Sequence, residues 1–206
     1  MPILVQDQSY TFSQIGKLSV TTDDLLAEYG YSFSRQQVTL PQWQGPLPPL
    51  EATQKRIEST LPLVDLANET SRRETLIAPV ITDIAIQTRT QIRIEYAITV
   101  SSWLQGIFDY LLLQPNGPLL VVEAKHEDLT KGFNQLAVEL IALAQWEKAP
   151  PSDQHPQFMG AVTTGNIWQF GLLDRHHKHI TQSLSLYRVP EDIEEVERIL
   201  MAVLSP

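Results

Sequence analysis

The chain contains 206 residues, 43% of them hydrophobic, and no cysteine. This length favours one domain with a substantial buried core over two domains. The lack of cysteine excludes disulfide bonds and thiolate metal sites and agrees with a reducing cytoplasm. No apolar run reaches the length of a membrane span, and residues 1–10 are too short and too polar for a secretory signal. We therefore expect a soluble cytoplasmic protein that does not act at a membrane.

The formal net charge is -9 at pH 7, which opposes the binding of nucleic acid. Affinity for phosphate comes mainly from Lys and Arg side chains. Part of the acidic excess is concentrated between Glu191 and Arg198, and the rest of the chain carries 19 acidic and 14 basic residues. A bound divalent cation would further offset the local negative charge. The charge therefore weakens a nucleic-acid hypothesis without excluding it.

The first part of the chain is predicted to be β-rich. Residues 1–48 combine short β-like runs with turn residues and end in a proline-rich stretch at 41–49. We interpret residues 1–48 as an N-terminal extension and residues 49–206 as a single compact core.

Two helices are predicted before the first strand of this core. Residues 51–61 form a short helix that ends near Pro62, and Asn68 is a suitable N-cap for a second helix over 69–86. Pro79 should kink or shorten the second helix. Its buried stripe consists of Leu76, Ile77, Val80, Ile81 and Ile84.

The hydrophobic period then changes to that of strands. Residues 91–100, 104–114 and 119–125 predict a three-stranded antiparallel meander, with a reversal at 115–118. An amphipathic helix over 129–146 should cover this sheet. Its apolar face carries Leu129, Phe133, Leu136, Leu140 and Ala144. Further strands are expected at 157–164, 166–173 and 180–189, before a last helix from Glu191.

Three charged residues meet on the hairpin around residues 115–118. Asp109 and Glu123 are nearly equidistant from its centre, and Glu123 and Lys125 share one strand face because they are two residues apart. Burying a carboxylate in so apolar a strand is costly unless it has a partner. Two carboxylates and a backbone carbonyl suit Mg²⁺. The alternative is a cross-strand salt bridge on a solvated face.

The arrangement of Asp109 and Glu123-Ala124-Lys125 resembles the PD-(D/E)XK nuclease superfamily. The resemblance implies an α/β fold with a restriction-endonuclease-like core, in which helices flank a central mixed β-sheet. It also implies that Asp109, Glu123 and the Ala124 carbonyl bind Mg²⁺, for which Mn²⁺ can substitute. Lys125 would orient the attacking water or stabilise transition-state charge. The implied reaction is hydrolysis of a phosphodiester, with DNA preferred to RNA.

Further segments are similar to the nuclease domain of type I restriction subunits. Residues 68–79 resemble an acid-containing helix in which Glu69 would support catalysis and approach the metal, with Glu74 as the competing choice. Glu69 could instead be a first-turn acid that interacts with the helix dipole. In the Gln-x-x-x-Tyr motif of the family, Gln135 matches and would assist catalysis, but Glu139 replaces the tyrosine.

Several features leave a second function open. Residues 161–173 resemble a strand-turn-strand unit of the family, although the turn here is Thr164-Gly165-Asn166. The acidic charge and Glu139 favour an inactive nuclease-like fold that serves as a protein-interaction or regulatory module. A homodimer would suit cutting of two strands, but the sequence does not require one. Four cations could line a phosphate groove or be ordinary solvated charges, namely Arg72, Arg73, Lys125 and Lys131.

Overall fold

A mixed β-sheet with helices on both faces organises the fold. The computed structural model describes residues 3–5, 7–114, 119–124 and 128–205, and the α/β class expected from the sequence is confirmed. Within these residues seven strands pair in the order β1-β7-β6-β5-β4-β3-β2. The pairs β4–β5 and β1–β7 are parallel and the others antiparallel. The strands are β1 (Ser32–Gln36), β2 (Gln91–Ser101), β3 (Leu104–Leu113), β4 (Leu119–Ala124), β5 (Gln157–Thr163), β6 (Ile167–Asp174) and β7 (His179–Arg188).

Helices cover each face of the sheet and enclose two separate hydrophobic clusters. One face is covered by α1 (Phe12–Gly16), α2 (Thr22–Glu28) and α6 (Leu129–Gln145). The other face is covered by α3 (Leu50–Thr60), α5 (Ala78–Thr88) and α7 (Ile193–Leu204). Among the described residues, no helix is long and apolar enough to cross a membrane.

The predicted antiparallel meander is confirmed. β3 pairs with both β2 and β4, and Tyr110 lies opposite Val122. Extending this register by one position brings Asp109 opposite Glu123, as the sequence predicted. The predicted turn at 115–118 lies outside the described residues.

The helix after Asn68 is interrupted where proline requires it. The Asn68 side chain accepts a hydrogen bond from the Ser71 N–H at 2.8 Å and starts α4 (Glu69–Arg72). A π-helical segment, Arg73–Ile77, follows and leads into α5. Pro79 has no N–H to donate to the carbonyl four residues earlier, so a regular α-helix cannot continue through this turn. The predicted stripe from Leu76 to Ile84 is buried as expected.

The β-rich character expected for residues 1–48 was wrong. Its described residues, 3–5 and 7–48, form α1, α2 and a single strand, β1. A capping box begins α1, in which Thr11 Oγ1 accepts from the Gln14 N–H and Gln14 Oε1 accepts from the Thr11 N–H. This local chemistry, with the burial of Phe12 against the sheet, outweighs the β propensity of the aromatic residues.

Helix α6 is buried on more sides than a simple amphipathic helix. The sheet covers one side and α1 and α2 pack on another, so every residue from 132 to 143 is buried. Polar groups enclosed in this way need partners. Asn134, for example, accepts a hydrogen bond from the Thr22 hydroxyl at 2.7 Å and donates to the Val20 carbonyl.

Glu197 of α7 is a buried acid on the opposite face of the sheet. Its side chain is fully buried, and neither carboxylate oxygen has a hydrogen-bond partner among the described residues. Burial, followed by the charges of Asp83 and Glu194, raises the pKa of Glu197 to about 7. The folded state therefore favours the neutral acid.

Glu197→Gln is expected to stabilise the protein at pH 8 but not at pH 4.5. Because the folded-state pKa of Glu197 lies above its ordinary value of 4.5, the folded state binds a proton that the unfolded state releases. Stability is therefore lost as pH rises from about 4.5 through 7, and the glutamine removes this loss. We expect a gain of about 2 kcal/mol at pH 8 by urea denaturation. Glu195→Gln, an exposed change on the same helix, is the control. An equal gain at both pH values would contradict the prediction.

Candidate functional site

The predicted site residues meet in one cavity. Its volume is about 740 Å³, and its wall is built from β3, β4, α1, α4 and α6 together with neighbouring residues. Four of the five predicted catalytic residues line it, namely Glu69, Asp109, Glu123 and Gln135. The fifth, Lys125, lies outside the described residues. Residues separated by more than sixty positions in the chain are thus brought to one place.

Asp109 is fixed beside β4 by a backbone hydrogen bond. Its Oδ2 accepts from the Ala124 N–H at 2.8 Å, and the side chain is 17% exposed. This bond joins the two strands just beyond the last residue pair of their ladder, Tyr110 and Val122. The carboxylate is therefore held at the cavity with little rotational freedom, as a metal ligand or a substrate contact requires.

Glu123 faces the opposite way from its strand neighbours. Val122 and Ala124 pack in the cluster beneath α5 and α7, whereas Glu123 lines the cavity on the α6 side and is 1% exposed. The alternation of a β-strand accounts for this difference. A cross-strand salt bridge on a solvated face does not agree with this burial.

The carboxyl of Glu139 on α6 lies beside Glu123. Burial, followed by the negative charge of Glu123, raises the pKa of Glu139 well above its ordinary value. The Gln135 side chain donates a hydrogen bond to Glu139 Oε1 at 2.9 Å. Glu139 is thus a buried acid whose neutral form is favoured and whose Oε1 accepts a hydrogen bond from Gln135.

The donor set agrees with the requirements of Mg²⁺. Within the described part of the chain, no three His, Cys, Asp or Glu side chains form a preformed metal cage. Mg²⁺ usually takes one or two protein carboxylates and keeps waters or substrate phosphates as its other ligands. Asp109 and Glu123 offer such a pair, and Oε2 of the adjacent Glu139 is buried without a hydrogen-bond partner among the described residues. Asp109, Glu123 and the Ala124 carbonyl would hold the ion.

The acid-containing helix directs Glu69, and not Glu74, to this cavity. Glu69 is partly buried and lines the wall. Glu74 is exposed and borders a separate cavity of about 280 Å³ together with Arg56. The two acids are five residues apart, and at about 100° per residue of a helix this spacing alone directs their side chains to different sides.

Arg73 is the most deeply placed cation in the described wall of the cavity. Its side chain is 14% exposed, and Nη1 lies 3.2 Å from Glu95 Oε1 and 3.8 Å from Asp109 Oδ1. The guanidinium also lies over the Tyr110 ring, 5.1 Å from its centroid. No sequence pattern distinguishes Arg73 from the other candidate cations, namely Arg72, Lys125 and Lys131.

Helix α1 forms a wall that the sequence did not predict. Ser13, Gly16 and Lys17 line the cavity, and a Cβ at Gly16 would lie 2.9 Å from Gln135 Oε1. A larger residue at position 16 would force the Gln135 side chain to shift, so the glycine lets α1 approach α6 closely. The capping-box pattern Thr-x-x-Gln at Thr11 is the sequence signal that identifies this helix.

The turn at Thr164-Gly165-Asn166 supports the site from outside the cavity. Arg72 donates to the Thr164 carbonyl at 3.1 Å, and the buried Trp168 donates from Nε1 to the Gly165 carbonyl at 3.1 Å. Gly165 has φ +89°, and a Cβ there would lie 2.9 Å from Leu76. These contacts hold α4, and therefore Glu69, against the end of the sheet.

Comparisons of the chain with protein-family models, curated proteins and solved structures find no match.

Proposed function

We propose that this protein is a metal-dependent nuclease with a restriction-endonuclease-like core, which hydrolyses phosphodiester bonds and prefers DNA. One observation carries the proposal: Asp109 and Glu123, one partly and one fully buried, converge on a cavity that Glu69 and Gln135 also line. Two carboxylates close together at the end of two paired strands repel each other as anions, and a divalent cation between them would offset that repulsion. A hydrated divalent cation and a phosphodiester are ligands that would use them.

Each residue has a defined task in this proposal. Mg²⁺ or Mn²⁺ would supply a Lewis acid and lower the pKa of a bound water. Asp109 would orient the ion through a carboxylate already fixed by the Ala124 N–H. Glu123 would contribute the second carboxylate from beneath α6, with Glu69 at the opposite wall. Lys125 would stabilise negative charge that develops on the phosphate.

The wall of the cavity carries five acidic residues beside three cations, so a bound divalent cation is needed to offset its negative charge before a phosphate binds. Lys17, Arg73 and Lys131 all line its wall. The Lys131 ammonium lies 3.4 Å from Asp128, and both side chains are about half exposed, so the pair is weak and solvent-screened. A phosphate arriving at the cavity would therefore compete with Asp128 for Lys131 at little cost.

A cleavage assay tests the proposed function. Supercoiled plasmid and single-stranded DNA are incubated with the wild-type protein in Mg²⁺, in Mn²⁺ and in EDTA, beside Lys125→Ala. We expect cleavage that requires the metal and falls by at least about 10²-fold in the variant. Lys55→Ala, an exposed lysine on α3, is the matched control and should cleave normally. Metal-independent cutting, or full activity of Lys125→Ala, would contradict the mechanism.

A second candidate function is an inactive nuclease-like module that binds a protein partner. Glu139 in place of tyrosine and the contact of Arg73 with Asp109 favour it. Titration with Mn²⁺ separates the two candidates, because a module without chemistry has no need to bind a cation through Asp109. Metal binding that is lost in Asp109→Asn favours the nuclease. No cleavage and no metal binding would favour the module.

A further inference from the structure

Arg73 lies where an ion held by Asp109 would repel it. Its Nη1 is 3.8 Å from Asp109 Oδ1, beyond hydrogen-bonding distance, and 3.2 Å from Glu95 Oε1. The shorter contact is therefore with Glu95, on the neighbouring strand β2. A divalent cation at Asp109 would be within a few ångströms of the guanidinium, in a partly buried site where charges are weakly screened. A cation bound at Asp109 would therefore repel the Arg73 guanidinium from its observed position.

The ion pair that holds Arg73 at the cavity is exposed to solvent on the Glu95 side. The Glu95 side chain is 67% exposed, and its backbone has φ +51°, which is unusual for a residue other than glycine. An exposed carboxylate makes a weak ion pair. Such a pair can hold a side chain near a site and can also be exchanged for a stronger anionic partner.

The remaining donors of Arg73 suit a phosphate. Its Nε lies 3.5 Å from the Tyr110 hydroxyl and Nη1 faces the two carboxylates, whereas Nη2 has no hydrogen-bond partner among the described residues. The guanidinium lies over the ring of Tyr110, 5.1 Å from its centroid, and Tyr110 is itself 2% exposed, so the ring keeps Arg73 beside the cavity. A guanidinium with an unused edge at the cavity is suited to paired hydrogen bonds with phosphate oxygens.

We infer that Arg73 binds the scissile phosphodiester and, until substrate and metal arrive, rests against the metal-binding Asp109. This inference rests on the proposed function and assigns a substrate contact to it. When the metal binds, Arg73 would move from Asp109 to the phosphate. The metal would then pair with Asp109, and the guanidinium would pair with the phosphate. The resting contact lowers metal affinity in the absence of substrate, and the phosphate contact raises affinity for substrate once the metal is present.

Arg73→Met tests the inference through two effects of opposite sign. Removal of the guanidinium should tighten binding of Mn²⁺ to the free protein by about tenfold, because a repelling charge is lost. It should also weaken binding of a fluorescein-labelled DNA oligonucleotide in Ca²⁺ by about tenfold or more. Arg73→Lys, which keeps the charge but not the planar fork, should leave Mn²⁺ affinity nearly unchanged and weaken oligonucleotide binding.

Arg93→Met is the matched control. Arg93 lies on β2 over the Tyr96 ring, outside the cavity wall, and neither affinity should change. A damaged fold cannot explain a gain in Mn²⁺ affinity. Unchanged or weaker Mn²⁺ binding in Arg73→Met, or unchanged oligonucleotide binding, would overturn the inference while leaving the cleavage result of the wild type untouched. A wild-type protein that binds no oligonucleotide would overturn both proposals.

Discussion

Glu123→Gln is expected to reduce metal-dependent cleavage by at least about 10³-fold while the protein remains folded. Glutamine has nearly the shape of glutamate, so the side chain can occupy the same space beneath α6, where Glu123 is 1% exposed. A neutral amide, however, binds Mg²⁺ much more weakly than a carboxylate does. The loss should therefore appear in metal binding and cleavage, and not in packing.

Three measurements make this prediction specific. Mn²⁺ titration should show weaker binding in Glu123→Gln, the cleavage rate should fall, and the thermal midpoint should stay within a few degrees of the wild-type value. Glu58→Gln, an exposed change on the opposite side of the sheet, should leave all three unchanged. Retained cleavage in Glu123→Gln would show that the buried carboxylate has another task and would remove the basis of the proposed metal site.

The core of the site could be predicted because antiparallel pairing is a local property. β3 and β4 are antiparallel, and the pleat then decides which side chains become neighbours. The observed register ends with Tyr110 opposite Val122, and its extension by one position would bring Asp109 opposite Glu123. Gln135 and Glu69 were harder to place, but each lies on a predicted helix: Glu69 directly follows the Asn68 cap, and Gln135 lies in the first half of α6.

The surroundings of the site could not be predicted because they depend on contacts between distant segments. The position of Arg73 results from a π-helical turn next to Pro79 and from an exposed contact with Glu95, and neither has a distinct sequence pattern. The contribution of α1 depends on the burial of Phe12 against β3. Local β propensity favours a strand around Phe12, whereas the capping box at Thr11 favours the helix that the structure contains.

Phe12→Ala is expected to lower the free energy of unfolding by about 3–5 kcal/mol. Phe12 is fully buried and stacks on Phe108, with ring centroids 5.4 Å apart and planes 8° apart. Gly106 makes room for it, because its φ is +150° and a Cβ there would lie 2.7 Å from the Phe12 ring. Helix α1 has only five residues, and Phe12 is the larger of its two fully buried apolar side chains, the other being Ile15.

The same substitution should affect the site through α1. Gly16 packs against Gln135, and Lys17 lines the cavity, so a detached α1 removes one wall and the support of the glutamine that holds Glu139. In Phe12→Ala, we expect amide hydrogen exchange to be faster in α1 than in β3. We also expect weaker oligonucleotide binding than in the wild type, under conditions where urea titration shows that the variant is folded. Ser13→Ala, an exposed change on the same helix, should cost less than about 0.5 kcal/mol. A small stability loss in Phe12→Ala would mean that α1 is held by other contacts, whereas a large loss with unchanged oligonucleotide binding would mean that this wall does not meet the substrate.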